Sequence, residues 1–398
     1  MNINLFRAIH LSRLRIEPAV KKQASKGMYR ECYMRYLRVL SPLGEIPLFV
    51  TERYNWYLDG ENHSQSKTGI AFRELIEAGL SRETIWHRRP HNPWQHFVIK
   101  VFRIGCRLPR MFILVVSKFS ILKKLDLVAL QVIVGYVGFK GLFNSHSHLI
   151  PIINSDISPT LHMQWAGALA AGNKVMWWQD DYHHYDGFPD EHFCSYKFDF
   201  AAVLNNHGLR TAKLKSRNAS LFVRPSLTIK PMRSIPENPR VGFASNVYFE
   251  ANEEDCERIE HLMRILEAEL VLVRLHPNSK LHETQPENPL MYFAHREQSI
   301  EEFVESVDII FVGVSAVQLK LLCTGVPVIH ISGFDQFGFD LYRYCQMGLV
   351  YGKQNIDEIR LEDAQNFYKN PEHSKKLKEY VQVEHSIAQP LNNLKYYV

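Results

Sequence analysis

Cysteine is scarce in this chain and scattered. The six residues Cys32, Cys106, Cys194, Cys256, Cys323 and Cys345 include no CxxC pair, which argues against a disulfide framework or a thiolate zinc site and points to a reducing cytosol. Long apolar runs are also missing. In the most apolar basic region, 82–140, the longest uncharged piece covers only 127–139, well below the roughly 20 residues a membrane-spanning helix needs. The N-terminus, MNINLFRAIHLSRLRIEPAVKK, has no continuous apolar core and spreads its basic residues throughout, so no export signal is read and a cytoplasmic protein is expected. No repeat and no low-complexity tract occurs.

What is present is a soluble globular composition, 46% hydrophobic and 22% charged over 398 residues, a length that predicts two domains. Charge is divided unevenly. Residues 1–235 carry 32 Lys and Arg against 17 Asp and Glu, and the remainder carries 15 against 25, so the two halves are expected to meet different partners. Between Arg82 and Lys140 eleven basic residues are interleaved with apolar runs, opposed only by Glu83 and Asp126. Such a segment suits peripheral contact with an anionic bilayer surface; core elements with solvated Lys and Arg between them are the equal alternative. No recognisable nucleic-acid module accompanies the positive charge, so no nucleic-acid partner is expected.

From residue 240 onward the pattern alternates regularly: strand RVGFAS, helix EANEEDCERIEHLMRILEAE, strand LVLVRL, short strand LMYFA, a helix near 299–306, strand DIIFVG, helix AVQLKLLCTG closed by Gly325, and strand VPVIHI. Alternation with short links predicts a parallel, doubly wound sheet. The tail adds helical stretches near 357–368 and 371–384, expected to pack back on the first half. In that half, EIPLFVTERY, ETIWHRRP, HLIPIINSD, KVMWW and AAVLNN read as strands, with helices GIAFRELIEAGL and PTLHMQWAGALAAG between them. The expected fold class is therefore α/β with two Rossmann-like domains and a cleft between them: residues 1–223, a linker at 224–240 carrying four prolines, and residues 241–398.

In a parallel open sheet, ligands bind beyond the carboxyl ends of the strands. The residues at those ends in the second half are Ser245 and Asn246; Arg274, His276, Pro277 and Asn278; Gly313 and Ser315; and Ser332. Gly313, Val314 and Ser315 open into a helix, where backbone N–H groups favour a phosphate; Ser315 also reads as a plain helix N-cap. A donor imidazole on His276 suits phosphate or a leaving-group charge.

VRLHPNSK followed by DIIFVGVSAVQLKLLCTGVPVIHI resembles the nucleotide-binding domain of GT-B glycosyltransferases of bacterial surface-polysaccharide synthesis. The His-Pro strand end is similar to that of sialyltransferases, Kdo transferases and glycerophosphotransferases of that architecture. The match spans about 240–335. The resemblance implies that His276 contacts the donor phosphate with help from Ser315, that the donor is a nucleotide-activated sugar with no further cofactor, and that the acceptor is a surface glycan or glycolipid. Many retaining GT-B enzymes carry a Glu in the helix where this chain has Gln318 and Lys320, which leaves the His-Pro enzymes with CMP- or CDP-linked donors as the better comparison.

The second chemistry-bearing stretch is KVMWWQDDYHHYDGFPDEHF, 174–193. Inverting transfer needs a general base at a strand end, and the candidates are Asp181, Asp180, Asp186 and His184. Asp186-Gly187 is similar to the acidic base motif of GT-B sialyltransferases, with Tyr185 in place of its first acid. Adjacent pairs without HxxxH spacing argue against a metal site, and a solvated acidic loop remains the plain alternative. An epimerase acting on nucleotide sugars and a catalytically inactive protein of the same architecture are the two rival functions.

Overall fold

The computed structural model describes residues 56–58, 67–82 and 85–87 and, with short gaps, most of the chain from 136 to 397. Residues 1–55, 88–135 and 183–196 lie outside the described residues, and with them the expected strand EIPLFVTERY and most of the basic region 82–140.

Among the described residues two all-parallel sheets account for the strands. The first is built from β1 (Trp56–Leu58), β2 (Ile85–His87), β3 (Ile150–Ile153), β4 (Met176–Trp178), β5 (Phe200–Val203), β6 (Ser220–Val223) and, from the far end of the chain, β13 (Gln389–Pro390). Its order is β13-β6-β5-β4-β3-β1-β2. The second contains β7 (Val241–Ala244), β8 (Val271–Arg274), β9 (Met291–Phe293), β10 (Ile309–Val312), β11 (Val328–Ile331) and β12 (Tyr351–Lys353), in the order β12-β11-β10-β7-β8-β9. The latter is the doubly wound dinucleotide-binding order, with its switch point between β7 and β10. Two Rossmann-like α/β units are thus present, as the alternating pattern predicted.

The central strands read as short apolar runs because both of their faces are covered; β3, β4, β5, β7, β10 and β11 are buried at every residue. The helices are α1 (Lys67–Glu77), α2 (Pro159–Ala171), α3 (Asn206–Lys215), α4 (Glu253–Ile265), α5 (Ile300–Glu305), α6 (Val317–Cys323), α7 (Leu361–Lys369) and α8 (Pro371–Val381). Their starts are written locally. Asn205, Asn252 and Asn370 cap α3, α4 and α8, and Ser299 with Glu302 forms a reciprocal capping box on α5. After α6, Gly325 turns the chain at φ +85°, the left-handed geometry that favours glycine after a helix.

The proline-rich stretch 224–240 has no regular element but is docked. The N–H of Lys230 donates to the Cys323 carbonyl and that of Arg233 to the Gly325 carbonyl. A side chain at Gly325 would meet the Pro231 carbonyl oxygen at 2.3 Å, so this turn and the connecting segment were fitted together. The end of the chain returns to the first unit. Val383 and Ala388 join one of its cores, Leu391 and Leu394 of the 3₁₀ turn Leu391–Tyr397 join the other, and the Tyr397 ring meets Phe200 and Phe222 edge-on.

Candidate functional site at the strand exits

The exits of the second sheet are tied to one another by the residues singled out in the sequence. Ser245, buried past β7, donates its backbone N–H to the Arg274 carbonyl and accepts the His276 N–H on its hydroxyl oxygen at 3.0 Å. His276 is thereby fixed at the exit of β8 next to that of β7. Its carbonyl accepts the Ser279 N–H, closing a turn, while Pro277 and Asn278 lie outside the described residues. Arg274, the residue that ends the apolar run, is half-buried with its Nε lacking a hydrogen-bond partner. Burial holds its guanidinium below the ordinary value, opposed by the charge of Glu301. Asn246 is half-buried just beyond Ser245.

On the other side of the switch point, Gly313 and Ser315 follow β10. Ser315 is not the helix N-cap: that place falls to Ala316, without a side-chain bond, and the Ser315 hydroxyl instead accepts the Val317 N–H at 3.3 Å. The local turn puts the helix start one residue later than the apolar pattern suggested. Gln318, 2% exposed, reaches back to donate to the Gly313 carbonyl at 2.6 Å, and its Nε2 lies 2.9 Å from His330 Nδ1. His330 Nε2 accepts the Asp340 N–H. Ser332, past β11, donates to the Gln354 carbonyl at 2.6 Å, tying that exit to β12.

The first unit contributes the exit of β4. Gln179 is fully buried there: its Oε1 accepts the Leu204 N–H and its Nε2 donates to the Asp181 carbonyl and to Asn205 Oδ1. Arg224, past β6, lies over the Trp178 ring, donates to the Gln179 carbonyl and holds Glu74 of α1 in a bidentate pair at 2.7 Å. This network sets the chain that follows. Asp180 is half-buried and Asp181 buried. One carboxylate oxygen of Asp181 accepts the Tyr182 N–H at 2.9 Å, and the other meets Nζ of Lys320, on α6 of the second unit, at 3.2 Å. His184 and Asp186 lie outside the described residues.

Sequence reasoning missed the joint itself. Tyr182, 1% exposed, is packed into the core of the second unit. Its carbonyl accepts the hydroxyls of both Tyr344 and Tyr380, at 2.9 and 2.8 Å, and its own hydroxyl accepts the Leu227 N–H. Burial pushes its phenol well above the ordinary range. The structure therefore brings Asp181 to the helix that follows β10, while Ser245, His276, Gly313 and Ser315 lie at the exits of β7, β8 and β10. Among the described residues no group of three His, Cys, Asp or Glu side chains is arranged to hold a metal ion, and no helix is long and apolar enough to cross a membrane.

No protein-family model matches this chain, and no functionally curated protein matches it. Among solved structures it is similar to the S. aureus MnaA–UDP co-structure (TM-score 0.49, 11% identity, 86% of this chain and 96% of that one). It is also similar to a putative UDP-N-acetylglucosamine 2-epimerase from Listeria monocytogenes (0.46, 11%, 88% and 95%) and to the glycotransferase of kitacinnamycin (0.43, 9%, 83% and 94%). Likenesses this distant assign no chemistry to the chain.

Proposed function

We propose that this protein is a glycosyltransferase that moves a sugar or sugar-like group, with inversion, from a nucleotide-activated donor to a surface glycan or glycolipid. The observation that carries the reading is the meeting of two strand-exit edges: Asp181, beyond β4, is delivered to Lys320, on the helix after β10 of a sheet wound in the nucleotide-binding order.

In this reading the nucleotide lies at the switch point, flanked by Ser245, Asn246 and His276 on one side and Gly313 and Ser315 on the other, with Arg274 and Ser332 as further contacts; Pro277, of the same expected set, lies outside the described residues. The His-Pro strand end favours CMP- or CDP-linked donors. His276 and Ser315 meet the departing phosphate, and a hydrogen-bond donor aimed at a developing charge is the usual source of such stabilisation. A carboxylate or imidazole from Asp180, Asp181, His184 or Asp186 takes the acceptor proton, with Asp181 best placed among those described. The basic first half receives the acceptor, and residues 82–140 contact an anionic membrane from the cytoplasmic side. The chemistry uses no metal and no cofactor beyond the donor.

Thermal unfolding with CMP, CDP, UDP and GDP, for the wild type and His276→Ala, tests this. A nucleotide at 100 times its Kd adds about 2.7 kcal/mol to the folded state. Stabilisation by one nucleotide, lost in the variant, is expected; no response to any would leave an inactive protein of the same architecture. Conversion of a nucleotide sugar with no acceptor present would make it an epimerase.

A further inference from the structure

The Lys320–Asp181 pair joins the residue best placed as base to a cation of the donor side, and this has a chemical consequence. A carboxylate held by an ammonium favours its charged form and is a poorer proton acceptor for that contact. Lys320 stands in the second turn of α6, and helical side chains lean toward the helix N-terminus, which here is the end that follows Gly313 and Ser315. The lysine side chain is 34% exposed against 11% for Asp181, so the cation is the more accessible partner. Lysine is a compact point charge with three donors on a flexible stem, able to change partner with little reorganisation.

We propose that Lys320 is a positioning residue that exchanges partners: it holds Oδ2 of Asp181 and moves to the donor's phosphate when nucleotide binds, releasing that oxygen while Oδ1 keeps the Tyr182 N–H. This rests on the transferase reading. The acceptor hydroxyl then bonds to the anomeric carbon while its proton passes to Asp181. The bond between that carbon and the phosphate oxygen breaks, its electron pair leaving with the nucleotide, whose added charge faces Lys320. Base and leaving-group cation become available together, and only when donor is bound.

Calorimetric titration with CMP, CDP, UDP and GDP on the wild type, Asp181→Asn, Lys320→Met and the double variant tests the exchange. Asp181→Asn removes the competitor for Lys320, so nucleotide should bind about two- to fivefold tighter, the range expected from a half-exposed ion pair. Lys320→Met should weaken binding by at least about tenfold, as loss of a charge-assisted phosphate contact does. The double variant should match Lys320→Met, because the exchange makes the effect of Asp181 on affinity pass through Lys320. A purely structural bridge would not make loss of a carboxylate improve affinity. Nucleotide binding that is unchanged or weaker in Asp181→Asn, with the wild type binding normally, overturns the exchange and leaves the transferase reading standing; a wild type that binds no nucleotide overturns both. Should Asp181→Asn fail to fold, Lys320→Arg decides against Lys320→Met: the retained charge should keep affinity within about twofold, and equal affinity in the two variants overturns the proposal.

Discussion

The Tyr182 carbonyl offers a test of how the two units are joined. It accepts two phenol hydroxyls, from Tyr344, fully buried, and Tyr380, half-buried. Tyr344→Phe removes one donor and leaves the carbonyl satisfied by the other, so only the net value of a hydrogen bond is lost, about 1 kcal/mol; Tyr380→Phe is equivalent. With both removed, the carbonyl is buried without a partner, which costs a further 1–3 kcal/mol or so. The double variant should therefore lose about 3–5 kcal/mol, exceeding the sum of the singles by at least about 1 kcal/mol. Urea unfolding provides the assay. All six tryptophans, Trp56, Trp86, Trp94, Trp165, Trp177 and Trp178, belong to the first half, so their fluorescence reports that unit while far-UV circular dichroism reports both. Coincident transitions are expected for the wild type and separated ones for the double variant, since coincidence of probes marks a single cooperative unit. Single losses that add to the double within about 0.5 kcal/mol would refute the shared-acceptor argument.

Two other perturbations have definite signs. Gly325→Ala places a Cβ at φ +85° and 2.3 Å from the Pro231 carbonyl oxygen; left-handed geometry alone costs about 1–2 kcal/mol and the collision adds to it, so a loss of more than about 2 kcal/mol in a urea titration is expected, whereas Gly172→Ala, at a similar φ of +84° with open space around it, should lose only the conformational part. His373 has its imidazolium disfavoured first by burial, with Lys376 adding to this and the Leu349 carbonyl opposing it. Its folded pKa lies below the ordinary value of 6.5, so the unfolded chain binds its proton more readily; this contribution is intact above pH 6.5 and is lost as pH falls from there toward the folded value, with a slope of at most about 1.4 kcal/mol per pH unit. His373→Gln should flatten the melting temperature over that acid window, and an unchanged profile would remove His373 as the cause.

The second unit was legible because each buried parallel strand is a short apolar run bounded by Gly, Pro or polar residues, and two of the helices between them, α4 and α5, carry their own caps. Four strands were missed: β1, WYL, and β6, SLFV, although both are short apolar runs, and β12 and β13, which lack that signature. β12 is YGK at a sheet edge, and β13 is only Gln389 and Pro390 paired with β6; both exist because the chain around them is docked, as when Leu391 and Leu394 enter the first core, and docking leaves no local pattern. The site divides in the same way. Asp181, Ser245 and His276 could be named because they follow strands. The bridge from Tyr182 to Tyr344 and Tyr380 spans 162 and 198 residues, and no spacing in the sequence links them.

Gln318 sits where its surroundings favour an amide over a carboxylate. The Gln318 amide donates an N–H to the Gly313 carbonyl at 2.6 Å and lies 2.9 Å from His330 Nδ1. A glutamate there would set a carboxylate oxygen against the Gly313 carbonyl oxygen, in a place 2% exposed to water, a repulsive contact that burial makes costly. Meanwhile His330 accepts the N–H of Asp340, whose carboxylate in turn accepts the N–H groups of Cys345 and Gln346. The side chain is thus the first link of a hydrogen-bonded series running from the exit of β10 across β11 into the loop beyond it. That loop carries Tyr344, which closes on Tyr182 of the first unit. Gln318 is thus committed to holding the strand exits and, through them, the joint between the units.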